Sequence, residues 1–156
     1  MVVRQETNDK SLPTAWEFNK EIIFGEIGSL VGAYVAALTA AHLTRSAALI
    51  SASLIPGTLL GGTIFWLTAR IVHQRARGTW SVGVLARDIT YFTPAAAVLG
   101  FAVYDPAIFL ASHFLLVRGA GVVLSVAAGQ ITAFSLFLAS MNGYRLILAK
   151  TETRHL

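Results

Sequence analysis

Five stretches of this chain contain no Asp, Glu, Lys or Arg: 27–44, 46–69, 89–104, 106–117 and 119–144. A helix rises 1.5 Å per residue and the hydrocarbon core of a bilayer is about 30 Å thick, so about 20 uncharged residues are enough to cross it. The second and fifth stretches are long enough as they stand. The first is long enough if it starts near Ile22 and takes Glu26 along, and the third if it starts near Val84 and takes Asp88. The fourth, at 12 residues, would reach only about 18 Å as a helix. Its start is marked by Asp105-Pro106, an N-capping residue followed by proline at the first helical position, and its end by Arg118-Gly119. The expectation is therefore an all-α integral membrane bundle of four transmembrane helices at about 22–42, 47–69, 84–104 and 121–146. A short interfacial or re-entrant helix is expected at 106–117. Residues 1–14 read as a flexible N-terminal segment, 15–150 as the four-span domain and 151–156 as a tail.

Composition excludes most alternatives. The chain is 55% hydrophobic and only 13% charged, against about 25% charged in an average soluble domain. Its mean hydropathy is +0.65. A nucleic-acid-binding arm needs clustered Lys and Arg, and none is present, so no nucleic-acid partner is expected. The absence of cysteine removes disulfides, thiolate metal sites and cysteine nucleophiles together. No P-loop, H-E-x-x-H, G-x-S-x-G or G-x-G-x-x-G occurs, so neither enzymatic activity nor a cofactor or metal is expected.

Orientation follows from where the cations lie. Ten of the twelve Lys and Arg fall in the N-terminal segment, the central loop with its flanks, and the C-terminal end; only Arg45 and Arg118 fall in the other two connections. By the positive-inside rule both termini are expected in the cytoplasm and the protein in the cell (inner) membrane. The late, acid-preceded first apolar segment is not expected to be a cleaved signal. Thr14-Ala15-Trp16-Glu17 fits a capping box that could open the first helix. Trp66, Trp80 and Tyr144 read as an aromatic belt on the same side.

Between lipid-embedded helices, association relies on close backbone approach, which small residues spaced four apart permit. Such stripes appear at Gly28, Gly32, Ala36 and Ala40, at Ser53, Gly57 and Gly61, and at Gly121, Ser125, Gly129 and Ala133. They could be seams within one chain, or faces for a homo-oligomer or a larger membrane complex. Pro56 and Pro94 should kink their helices. The two halves also look alike, Glu26 corresponding to Asp88 and Arg70 to Arg145, as in a parallel duplication of a two-helix unit.

Charges inside a span are expensive and usually functional or paired. Glu26 and Asp88 lie near the level of Arg70, Asn142 and Arg145, and pairing of Glu26 with Arg70 and Asp88 with Arg145 would leave a positive surplus suited to a phosphate headgroup. These five residues are the candidate substrate-binding or ion-coupling group. Gln130, Ser125, Thr132 and Ser135 read as interhelical hydrogen-bonding groups. With four spans, cytoplasmic ends and Asn142-Gly143-Tyr144-Arg145 closing the last helix, residues 20–150 resemble the GtrA-like family of small four-helix membrane proteins. That resemblance implies handling of polyprenyl-phosphate-linked sugars, with Asn142 and Arg145 as headgroup contacts. The expected activity is binding or translocation of an anionic, possibly lipid-linked, substrate; the alternative is a non-catalytic accessory subunit. Membrane lipids are expected partners in either case.

Overall fold

The computed structural model describes residues 15–152; side chains at 15–18, 21, 87–88, 91–93, 95, 145 and 148–152 are outside the description. The expected flexible segment at 1–14, most of the tail, and the side chains of the capping box fall outside it. Helix α1 runs Ala15–Leu43, α2 Ala47–Ala76, α3 Val82–Leu99, α4 Asp105–Val117 and α5 Val122–Glu152, with one turn of π-helix at Gly100–Tyr104 joining α3 to α4. No strand occurs among the described residues. Four segments are long and apolar enough to cross a membrane: Ile22–Leu43, Ala47–Ala76, Ala96–Val117 and Val122–Tyr144. Large apolar side chains such as Leu60, Ile64, Leu110, Leu124 and Ile131 are each 60% or more exposed on the helix exteriors. In water such a surface would be an aggregation liability; in lipid it is the wetted face. The chain is a multi-pass membrane protein.

The expected short helix is present as α4, and it continues α3 through the π-turn as one helical run; the described stretch of that run long and apolar enough to cross a membrane is Ala96–Val117. Pro106 accounts for the join. Proline lacks the N–H that would bond the Ala102 carbonyl, and its ring crowds that carbonyl. Here the chain answers with a wider turn: the Asp105 N–H bonds the Gly100 carbonyl, five residues back, and the helix passes the proline without ending. Tyr104 and Asp105 both keep right-handed helical dihedrals, so Asp105 is inside a continuous helix and not a cap.

The bundle is a ring in which α1 packs on α2, α2 on α4, α4 on α5 and α5 on α1. Helix α3 leads into this ring and touches little besides its own continuation and α5. Asp88, the expected counterpart of Glu26, lies in α3 with its side chain outside the description. The carboxylate that the second half brings to the bundle centre is Asp105.

The small-residue stripes form seams inside the chain. In α1 and α2, Gly32 faces Gly57 and Gly28 faces Gly61; a Cβ on any of the four would strike the opposite backbone. Ser29 Oγ donates to the Thr58 carbonyl across this seam at 3.1 Å. A second seam joins α4 to α5, where Gly129 lies under Ser112 and Ile108 and Ser112 Oγ donates to the Ser125 carbonyl at 3.1 Å. Gly121 meets nothing within 4 Å. Leu54, Ile108 and Val126, all fully buried, fill the centre with Ala33, Ala37 and Ala133. At the far turns, Tyr34 reaches from α1 to the Val123 carbonyl at 3.2 Å, bracing α1 on α5.

Candidate functional site

Glu26 lies one turn inside the first crossing, on the flank of α1 that the α1–α2 seam leaves turned toward α5. Its carboxylate accepts from Gln130 Nε2 of α5 at 2.7 Å and from Tyr104 OH at 3.1 Å to Oε2. Gln130 Nε2 also reaches Tyr104 OH. Three membrane crossings thus meet at one carboxyl group through neutral donors, where the sequence reading had paired it with Arg70. Tyr104 is 7% exposed and Gln130 3%. The ring of Tyr104 is held edge-on against Phe137 of α5, centroids 5.8 Å apart. Gln130 was legible as an interhelical hydrogen-bonding group, and it is one; Thr132, by contrast, bonds back to the Ala128 carbonyl of its own helix.

A widened turn shifts the helical phase; Tyr104, its last residue, and the adjacent Asp105 are both buried. Asp105 lies within the apolar run Ala96–Val117. Its side chain is 6% exposed, and Oδ2 has no hydrogen-bond partner. Gln130 Oε1 is likewise buried without one.

Glu26 and Asp105 share one cavity of about 280 Å³. Its wall is built from α1 (Ile22, Gly25, Ser29), α2 (Thr58, Gly62, Thr63, Trp66), the end of α3 and the π-turn (Ala96, Ala97, Gly100, Tyr104) and Phe137 of α5. Glycine and alanine leave the space; Trp66 and Phe137 make it aromatic; among the described residues no Lys, Arg or His contributes to it. Trp66 is thus a wall residue of the cavity. Trp80 does pair with a cation, lying under the Arg75 guanidinium at 5.4 Å.

The chain matches no family model, no curated protein and no solved structure.

Of the remaining residues of the sequence-derived group, Asn142 and Arg70 do not line the cavity. Asn142 forms a reciprocal amide pair with Asn19 of α1, at 3.2 and 3.3 Å, and also donates to the Leu138 carbonyl at 2.8 Å; it ties the start of α1 to the end of α5. Arg70 is half-buried on α2 and does not line the cavity. Asp88 is in α3 and Arg145 in α5, with side chains outside the description. Among the described residues no group of three or more His, Cys, Asp or Glu is placed to hold a metal ion. The residues missed by the sequence reading are Tyr104 and Asp105. The available signal was a carboxylate between two apolar stretches, and it was read as a cap because proline follows it.

Proposed function

We propose that this membrane protein binds a small organic cation, such as a protonated amine or amidine, in the Glu26–Asp105 cavity and carries it across the bilayer. One observation carries the reading: two carboxyl groups share an intramembrane cavity, and none of the described residues in its wall is basic. A carboxylate near the bilayer centre is costly by about 2.5–3.5 kcal/mol on insertion scales unless something offsets it, and a guest with N–H donors and a positive charge does so. Asp105 Oδ2, buried without a protein donor, complements such a guest. Glu26 is held in orientation by Tyr104 and Gln130, and Trp66 and Phe137 offer ring faces and edges to the apolar body of the guest. At about 280 Å³ the cavity is at the small end of ligand sites, which run about 300–1,000 Å³.

An anionic sugar lipid, as the GtrA-like resemblance implies, would be repelled by these carboxyl groups and would have to use the end of the bundle that carries Arg70 and Arg145. The accessory-subunit reading draws on small-residue faces, and Gly28, Gly32, Gly57, Gly61 and Gly129 are already covered by the chain's own helices.

The test is uptake into liposomes containing the purified protein, with benzamidinium and benzoate as probes of similar size and opposite charge. Benzamidinium should enter faster than in protein-free liposomes, benzoate should not, and Glu26→Gln and Asp105→Asn should each lower benzamidinium uptake at least tenfold at unchanged folded yield. Uptake of benzoate instead, or benzamidinium uptake unaffected by both variants, would overturn the proposal.

A further inference from the structure

The groups around the Glu26–Asp105 cavity are short of hydrogens. Tyr104 donates its O–H to Glu26 at 3.1 Å. Gln130 Nε2 reaches Glu26 at 2.7 Å and also Tyr104 OH, which occupies both of its N–H bonds. Ser29 and Thr58 give their hydroxyl hydrogens to the carbonyls of Thr58 and Ile55. Two acceptors are left over, Asp105 Oδ2 and Gln130 Oε1, each buried and without a partner. Asp105 is 6% exposed and Gln130 3%, so neither is open to bulk water.

The two carboxyl groups are therefore in unequal positions. Glu26 accepts from two donors, and donors of this kind favour an ionised carboxylate. Asp105 lines the same cavity with an oxygen that has nothing to accept from. A charged group buried without a donor is penalised far more than its neutral form, and a carboxylate becomes neutral by taking one proton. Among the described wall residues the other titratable groups are Glu26 from α1 and Tyr104 from the π-turn; α2 contributes Thr58 and Trp66, and α5 contributes Phe137, all neutral. Arg70, one turn beyond Trp66 on α2, is outside the wall.

We infer that Asp105 holds a proton when no guest is in the cavity and releases it when an organic cation enters, so that the protein exchanges one proton for one guest. The inference rests on the cation-binding reading above. The O–H bond of the Asp105 carboxyl breaks, its proton passes to water, and the carboxylate left behind accepts an N–H of the guest, which keeps its own charge throughout. The carboxyl gives up one positive charge as the guest brings one, so the net charge of the site is the same in both states. Such a site never carries an unanswered Asp105 carboxylate through the hydrocarbon, loaded or returning, where a bare charge is costly. A carrier of the cation alone would have to return with Asp105 ionised and without a donor.

The test uses the full chain in detergent micelles with benzamidinium, which stays charged across the neutral range. Calorimetric titration in buffers of different ionisation enthalpy counts the protons released, and one per benzamidinium is expected. Binding should tighten about tenfold for each pH unit of the rise on the acid side. In liposomes with an acid lumen, benzamidinium should accumulate inside above its external concentration, and in protein-free liposomes it should not. Asp105→Asn fixes the neutral form, so the weakened binding that remains should release no proton and be flat in pH. Glu26→Gln should weaken binding and still release one proton. Binding without proton release, or proton release that survives Asp105→Asn, would overturn the inference while leaving cation binding in place. Absence of benzamidinium binding at every pH would overturn the cation reading itself, and the exchange with it. Circular dichroism checks that the helices of each variant are intact, and the proton count on the unmodified chain decides the matter without them.

Discussion

A carboxyl group inside an apolar crossing must meet a donor, a proton or water, and Glu26 and Asp105 meet this demand in different ways. Glu26 is answered from within the protein by Tyr104 and Gln130, whereas Asp105 leaves Oδ2 unanswered. Removing the Tyr104 hydroxyl should therefore be a mild structural change, since interhelical hydrogen bonds in membranes average about 0.6 kcal/mol and reach about 1.7. Tyr104→Phe is expected to lower stability by about that average in an SDS unfolding titration while loosening the orientation of Glu26, so that benzamidinium binding weakens more than stability does. Asp105→Asn removes a charge that the protein itself leaves without a donor, and is expected to raise stability in the same titration while binding falls. A stability loss with full binding retained would place Asp105 among the structural groups. Glu26 was legible from the chain because a lone carboxylate inside an apolar run is conspicuous. Its partners were not, because Tyr104 and Gln130 are 26 residues apart and only packing brings them together.

Among the elements, the α1–α2 hairpin and the α3–π–α4 helix are built on opposite devices, one on close approach and the other on a local widening. Where backbones are in contact, an added methyl group has nowhere to go: Gly32→Ala or Gly61→Ala should destabilise by about 1–3 kcal/mol through overpacking. Gly121→Ala, facing open space, should stay within about 0.5 kcal/mol. A thermal or SDS unfolding series on the three variants checks the contrast. Pro106 supplies the reason for the widened turn, and Pro106→Ala should let residues 100–104 return to a regular α-helix. Losing one residue of phase rotates α3 relative to α4 by about 100°, which would carry Tyr104 off Glu26. The expected result is unchanged or higher stability with benzamidinium binding lost; binding retained at the native level would show that the cavity does not depend on the π-turn. Small residues at fourth positions announced the seams correctly. Asp-Pro announced the start of α4, which begins at Asp105; that α4 continues α3 through a π-turn was not announced, because the same dipeptide can cap a new helix or sit beside a widened turn, according to what precedes it.

For the whole molecule, an even number of crossings puts the two tails on one side and the Arg45 and Arg118 turns on the other. The chain has no native cysteine, so single cysteines at residues 8, 78, 119 and 154 can be probed without background. With an impermeant maleimide on sealed vesicles, 8, 78 and 154 should label from one face and 119 from the opposite face, the cation count placing the first group in the cytoplasm. Labelling of 8 and 154 from opposite faces would remove one crossing and the shared level of Asn19 and Asn142 with it.

That this chain enters a bilayer as four helices followed from its letters, because hydropathy and helical rise are local quantities that each segment carries alone. The same holds for the small-residue stripes, whose spacing is a property of one helix. The sign of the site did not follow in this way. Arginines near the ends of crossings suggested an anion, whereas packing places Asp105, beside the π-turn at Gly100–Tyr104, in the same wall as Glu26, 79 positions earlier in the chain. Phase within a helix accumulates residue by residue, and a one-residue slip caused by a proline is settled by what the neighbouring helices will accept; no local pattern encodes that choice.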